Sequence, residues 1–358
     1  MKRFGANKDM VLENFGRQIR LFEKLADRHK IDFLCPDHVK KESKIIKMDG
    51  MDFFVIPFSL FSIRKFFKAV GKIIKNGKYD AIIVSTEPLI GILGHYYSKK
   101  YKIPFVYDLQ DNFETYDTYK LPFVSYFDKK AVKEADAVIT VSNSLKEYIS
   151  RIRKIRKDNI YVIENGIDLR LFKEIDRSIA RKKLRLPLKS KIIVYVGHLE
   201  KIKGAEILLK SFEKIREKYP DACLLISGKV DKSVDINKKN IIYRKLPKRQ
   251  DVVSAINAAD VAVLPNPSND FTKYCFPYKI VEYMACNVPI VATAVGDVSL
   301  LLKKYEGSLC KPDDCKDLAE KVILKLKESK KIDYSNELKK LRWDVLANKL
   351  ELILGSVK

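Results

Sequence analysis

The stretch Phe276-Pro277-Tyr278-Lys279-Ile280-Val281-Glu282-Tyr283-Met284-Ala285-Cys286-Asn287-Val288-Pro289-Ile290-Val291-Ala292-Thr293 constrains this chain more than any other. A proline at the first helical position, a short helix closed at Asn287, a second proline and a β-branched run predict a helix-turn-strand unit. Lys279 and Glu282 stand three apart and share a helical face. In isolation such a pair is a surface ion pair contributing a few tenths of a kcal/mol. The helix feeds a strand, however, and in open α/β sheets ligands gather where helix N-termini meet the carboxyl ends of strands. There a carboxylate can accept hydrogen bonds from a ribose diol, and an ammonium group can neutralise phosphate. The residues alone leave both readings open.

At 358 residues the chain exceeds what one core usually serves, so two domains are expected, and 46% hydrophobic residues suffice to bury both. No apolar run approaches the roughly 18 residues of a membrane span, and Met1 to Met10 is too polar for a signal peptide, so a cytoplasmic protein is expected. The six cysteines form no Cys-x-x-Cys pair and read as free thiols. With only four histidines and no ligand cluster, no metal or other cofactor is expected. The net charge of +24 calls for an anionic partner. No zinc-finger spacing, basic zipper or RNP-type motif accompanies that charge, which argues against nucleic acid. An anionic membrane leaflet is the simpler partner, since each Lys or Arg near it gains about 1 kcal/mol.

Along the first half, Asn14 to His29 carries Phe15, Ile19, Phe22 and Leu25 at helical spacing, and Ile31 to Cys35 reads as a strand. Val55 and Ile56 end another strand. Ile63, Phe66, Phe67, Val70, Ile73 and Ile74 then form an apolar stripe opposite Arg64, Lys65, Lys68, Lys72 and Lys75. This helix is either an ordinary cover for a sheet or a basic, Phe-rich helix that lies on a membrane surface. Strands follow at Ala81 to Ser85 and Ile103 to Tyr107, the latter leading into Asp108-Leu109-Gln110-Asp111. Carboxylates at a strand's C-terminal end suit ligand binding, although they also begin loops and cap helices. Ala135 to Ser142 and Ile160 to Ile163 are further strands, the second closed by Glu164-Asn165-Gly166-Ile167-Asp168, with Phe172 beyond.

The charged stretch Lys173 to Ser190 reads as a linker, after which Lys191 to Gly197 opens a second domain with a buried-type strand. Gly197 permits close backbone approach, the helix beginning at Ala205 offers free N–H groups, and Lys203 adds charge: a phosphate cradle, though Gly-x5-Lys-Gly is a weak signal by itself. Ala222 to Gly228, Ile241 to Tyr243 and Val261 to Asn266 continue the strand-and-loop rhythm, with a helix through Val252, Val253 and Ile256 beginning after Leu246-Pro247. The final segment places Trp343, Leu346, Leu350 and Ile353 on one helical face.

Pro277-x-Lys279-x-x-Glu282-Tyr283-Met284-Ala285 with Val288-Pro289-Ile290-Val291-Ala292-Thr293 resembles the donor-site signature of retaining GT-B glycosyltransferases, in the large glycogen-synthase-like family (family 4, group 1). Asn165-Gly166-Ile167-Asp168, the Gly197 to Gly204 loop and Gly307-Ser308-Leu309-Cys310-Lys311-Pro312-Asp313-Asp314 match further family motifs in order. The resemblance implies an α/β fold of two doubly wound, Rossmann-like domains facing a cleft. Residues 1–172 form the acceptor-side domain, 173–190 the linker, 191–335 the donor domain, and 336–358 a helix crossing back to the first domain. It implies a glycosyltransferase that moves a hexosyl-type sugar from a nucleotide-diphosphate sugar to a glycan or lipid-linked acceptor with retention of configuration. In that role Glu282 holds the ribose, Lys203 and Lys279 neutralise the diphosphate, Gly197 permits close approach, the Leu246 loop lies over the base, and Asp111 acts on the acceptor side.

Three departures accompany the resemblance. The chain lacks the first hydrophobic strand, Lys2-Arg3-Phe4-Gly5-Ala6-Asn7 matching only the tail of the loop that follows it. His198 stands where the family carries arginine at the diphosphate, and a neutral imidazole does not replace an always-charged fork. Tyr274 occupies the place of a second, sugar-contacting glutamate. These departures keep open an alternative in which the chain is an inactive nucleotide-sugar-binding or scaffold protein. A nicotinamide dehydrogenase is disfavoured, because no Gly-x-Gly-x-x-Gly follows any strand.

Overall fold

The computed structural model describes residues 1, 3–5, 8–13 and 16–357. Its contacts divide the chain into two compact units, Met1–Glu164 with Trp343–Lys358, and Asn165–Arg342. Among the described residues, no helix is long and apolar enough to cross a membrane.

The first unit begins with a small hairpin of β1 (Phe4–Gly5) and β2 (Lys8–Asp9), followed by α1 (Arg17–Phe22). Of the expected opening loop, Lys2, Ala6 and Asn7 lie outside the described residues, as do Asn14 and Phe15 of the expected first helix. That helix is shorter than its periodicity predicts: past Glu23 the backbone continues in turns, although Leu25 is still buried. Next come β3 (Ile31–Asp37), β4 (Lys44–Met48), β5 (Met51–Pro57) and α2 (Ile63–Gly77). β4 and β5 are an antiparallel pair closed by Asp49-Gly50, both at positive φ, the geometry of a two-residue hairpin turn.

β6 (Ile82–Ser85), α3 (Pro88–Tyr101), β7 (Phe105–Leu109), α4 (Val124–Lys133), β8 (Ala137–Thr140), α5 (Asn143–Arg153) and β9 (Ile160–Val162) alternate as strand and helix. The strands form two sheets, β3-β5-β4 and the all-parallel β6-β7-β8-β9. Among the described residues no strand pairs β3 with β6. The backbone nitrogens of Met1 and Arg3 instead donate to Leu34 O and Pro36 O on the edge of β3. The closing helix Trp343–Ser356 belongs to this unit, burying Trp343, Leu346, Leu350 and Ile353 and pairing Glu351 with Arg28.

The second unit holds α6 (Arg177–Lys183), β10 (Ile192–Val196), α7 (Ala205–Lys218), β11 (Cys223–Ser227), β12 (Ile241–Arg244) and α8 (Arg249–Asn257). β13 (Val261–Leu264), α9 (Tyr278–Ala285), β14 (Ile290–Thr293), α10 (Asp297–Leu302), β15 (Leu309–Cys310) and α11 (Cys315–Glu328) complete it. Its six strands are all parallel in the order β12-β11-β10-β13-β14-β15, the doubly wound nucleotide-binding order. Residues buried along β10, β11 and β13 pack against Leu208, Phe212 and Ile215 of α7 and Leu318, Val322 and Leu326 of α11. Strand order reverses between β10 and β13, which fixes the switch point at which such sheets bind ligands.

Residues 173–190 are not a linker. Asp176 caps α6 through the backbone N–H groups of Ser178 and Ile179. Arg177 and Arg181 hold Asp260 at 2.6 and 2.7 Å, and Asp260 also accepts from Ile192 N. Charge made the segment resemble a linker; two of those charges, Arg177 and Arg181, are spent on this one anchor. The unit boundary accordingly falls at Glu164, ahead of Phe172, whose side chain is buried in the second unit. At the other end it falls before Trp343 rather than at 336.

Candidate functional site

The switch point of the second unit is built from glycines. Gly197 follows β10 at φ 130°, and a Cβ there would meet Lys279 Cε and Nζ at 3.1 Å. Gly204, at φ 87°, sits so close to the loop after β13 that a Cβ would lie 1.8 Å from Pro265 O. Only glycine tolerates both conformation and contact. The loop between them is thereby drawn against the carboxyl ends of β10 and β13.

Lys279 lies in the first turn of α9, where Tyr283 fixes the helix to the sheet by accepting from Val196 N at 2.9 Å. The Asn165 side chain donates to Phe276 O at 2.6 Å and ties the Asn165-Gly166 turn to the start of the same helix. The ammonium group of Lys279 donates to Tyr195 Oη at 2.9 Å and lies 4.3 Å from the centre of that ring. Tyr195 Oη in turn donates to His198 O at 2.9 Å. Burial lowers the Lys279 pKa to about 8 against the weaker pull of Cys275, Glu282 and Glu200.

Glu282, one helical turn on, is 8% exposed. Burial raises its pKa, opposed by Arg249, whose guanidinium donates to Glu282 Oε1 at 3.0 Å and lies 4.9 Å from the centre of the Phe172 ring. In the loop after Gly197, Glu200 Oε1 binds both Lys203 Nζ at 2.6 Å and His198 Nδ1 at 3.3 Å. The Lys203 ammonium also faces the Phe271 ring. Burial lowers the His198 pKa, which keeps the ring neutral at pH 7, and its Nε2 is buried without a hydrogen-bond partner among the described residues.

Of the residues singled out from sequence, Lys279 stands where a side chain on Gly197 would crowd it, Glu282 shares the helix of Lys279, and Lys203 and His198 share one carboxylate. Lys279 feels Glu282 and Glu200, so both halves of the group act on a single ammonium. Leu246 lies half-buried in the loop between β12 and α8, three residues before Arg249, and nothing draws it to the other residues named here. Asp111 belongs to the first unit, where it follows β7 and accepts from Tyr116 Oη at 2.9 Å. The lysine and the glutamate do not pair as an ordinary surface couple. Lys279 turns to Tyr195 and Glu282 to Arg249.

Sequence reasoning assigned no part to Tyr195, Glu200 or Arg249. His198-x-Glu200-x-x-Lys203 places an acid in reach of two bases and signalled Glu200; an Arg two residues after Pro247 carries no comparable signal. Chemically, the arrangement offers two ammonium groups, an α7 N-terminus without a side-chain cap and a carboxylate held in one rotamer. Together these suit an anion flanked by hydroxyl groups.

Residues 19–171 match the family model described as Glycosyltransferase Family 4, and residues 176–340 the model described as Glycosyl transferases group 1. The chain is 32% identical over 228 residues to a Bacillus subtilis (strain 168) protein named as a teichuronic acid biosynthesis glycosyltransferase, TuaC, covering 63% of this chain and 56% of that one. It spans about half the length of the curated relatives it matches. Its fold is that of sucrose-phosphate synthase from Thermosynechococcus elongatus, at a TM-score of 0.75 and 20% identity over 94% of this chain and 91% of that one. It is likewise that of Anabaena HepE, solved in complex with UDP, at a TM-score of 0.71 and 18% identity over 96% of each chain. Two glycosyltransferase models, family 4 and group 1, thus match successive parts of the chain that fall largely in its first and second units.

Proposed function

We propose that this protein transfers a sugar, of hexosyl type, from a nucleotide-diphosphate sugar to a glycan or lipid-linked acceptor with retention of configuration. The observation that carries the reading is the seating of the Lys279 ammonium against Gly197, on the same helix as the buried Glu282. Glu282 binds the ribose diol; Lys279 and Lys203 neutralise the leaving diphosphate as its bond to the sugar breaks; Gly197 leaves room for the phosphates. A preorganised positive charge aimed at a developing anion supplies the main catalytic effect, and a diphosphate oxygen takes the acceptor's proton on the same face of the sugar. The lysines provide the charge this scheme needs, so no cofactor enters it. Asp111 is assigned to the acceptor, and the Leu246 loop to the nucleobase. The UDP in the HepE structure, and the UDP-glucose in another structure of that protein, make the uridine compounds the first to test. The basic, aromatic face of α2 rests on an anionic membrane surface in this proposal.

The test has two stages. Calorimetry with UDP and GDP identifies the base. Glu282→Ala and Lys203→Ala are expected to weaken the preferred nucleotide at least about tenfold, each removing a charge-assisted contact. Nucleotide release from a panel of nucleotide-sugars then measures turnover. Unchanged nucleotide affinity in both variants overturns the reading. His198 favours a second reading, a protein that binds nucleotide-sugars without turning them over. Tight nucleotide binding with no release in the wild type, and release gained in His198→Arg, would establish that one instead.

A further inference from the structure

The first unit contains a groove of about 820 Å3 between α2 and the β3-β5-β4 sheet, within the roughly 300–1,000 Å3 of small-molecule sites. Phe54, Ile56, Ala69 and Ile73 make its walls apolar, and the exposed Ile45 continues them to solvent on β4. Four lysines, Lys30, Lys44, Lys65 and Lys72, stand around it, all exposed. Lys44 is paired with Glu42 at 2.7 Å. Lys30, Lys65 and Lys72 have no carboxylate within ion-pair distance among the described residues. The one acid in the lining, Asp32, accepts from Tyr79 Oη. α2 itself contains no Asp or Glu.

An apolar trough ringed by unneutralised ammonium groups is complementary to a molecule with a hydrocarbon body and an anionic end. It has no convergent set of buried polar groups to orient a sugar or a base. We propose that the groove takes up, as single molecules, a membrane lipid with a phosphate head group, one hydrocarbon chain lying along Phe54 and Ile73 and the phosphate held by Lys65, Lys72 and Lys30. This binding is independent of the nucleotide site in the other unit and outlasts its failure.

Dodecyl phosphate below its micellar concentration is the probe, read by calorimetry against dodecyl maltoside and inorganic phosphate. Saturable one-to-one binding is expected for dodecyl phosphate alone. Decyl phosphate is expected to bind about tenfold more weakly, two methylenes being lost from the apolar contact. Ala69→Phe, which fills the groove, and Ile45→Asp, a surface change that leaves the core alone, each weaken binding about tenfold or more. Lys65→Gln and Lys72→Gln do so roughly fivefold each. Arg64→Gln and Lys75→Gln, on the same helix but outside the groove, change it less than about twofold, and an unchanged melting temperature serves as the check that each variant is folded. Equal loss in the Arg64 and Lys75 controls, or undiminished binding in both Ala69→Phe and Ile45→Asp, overturns the proposal. Adsorption to anionic vesicles without monomer binding overturns it in favour of plain surface attraction. A saturable signal from a Glu-rich peptide in place of dodecyl phosphate makes the groove a peptide site and equally overturns it.

Discussion

Lys279 is half-buried and Glu282 buried, and burial works on them in opposite senses. It lowers the lysine to about 8 and raises the carboxylate, so each is moved toward its uncharged form. A bound nucleotide diphosphate needs both charged. Its affinity is therefore expected to fall on the alkaline side as Lys279 loses its proton above pH 8, and on the acid side as Glu282 gains one. Titrating UDP affinity against pH checks this. Lys279→Arg should abolish the alkaline fall, and Arg249→Met should move the acid limb to higher pH, because Arg249 is what opposes burial at Glu282. Stability has its own sign. A base depressed in the folded state binds its proton better when unfolded, so its cost is full below pH 8 and disappears as pH rises toward 10.5. Lys279→Met is accordingly expected to raise the melting temperature of the ligand-free protein by a few degrees at pH 7 while destroying nucleotide binding. A melt that falls, or is unchanged, would contradict a strained lysine.

At the scale of elements, the central strands were legible because they are buried on both faces. Ile192–Val196, Cys223–Ser227 and Ala137–Thr140 are uninterrupted apolar runs, which parallel sheets require. β4 was not, since Lys44-Ile45-Ile46-Lys47-Met48 is a half-exposed edge strand with lysines at its first and fourth positions. Its signal was the Asp49-Gly50 turn rather than its own pattern. α6 was hidden for a different reason: a run of Arg and Lys looks solvated until its partner, Asp260, is seen eighty residues away. Lys203, Lys279 and Glu282 stand out because the motifs around them resemble a family signature, whereas Arg249 does not, because its contacts with Glu282 and Phe172 are made only in three dimensions. The α6 anchor gives a stability prediction. Asp260 is 6% exposed and Arg181 4%, so Asp260→Ala leaves the buried Arg181 guanidinium without its counter-charge and is expected to cost about 3 kcal/mol. In a unit of this size that lowers the melting temperature by roughly 6–12 °C, measured by calorimetry. Exposed Arg156→Ala, which breaks only a surface pair with Asp158, should change it by less than about 2 °C.

For the molecule as a whole, a net charge of +24 sets up a long-range field that no single pocket accounts for. Two kinds of anion are proposed to meet it, and salt separates them. A membrane surface is reached through exposed side chains such as Arg64, Lys65, Lys68 and Lys75, with Phe61 fully exposed and Phe67 partly so beside them. Exposed charges are screened within about 10 Å at 0.1 M salt and about 3 Å at 1 M. The proposed diphosphate, by contrast, would meet the half-buried ammonium groups of Lys279 and Lys203, where screening acts less. Sedimentation with vesicles rich in anionic lipid is therefore expected to lose at least about tenfold in bound protein between 0.1 and 1 M NaCl. UDP affinity should change by less than about threefold over the same range. What remains bound to vesicles at 1 M should depend on apolar insertion, and Phe61→Ser with Phe67→Ser should remove it. If neutral vesicles bind the protein as well as anionic ones do, the field is not directed at a membrane and the excess charge has another purpose.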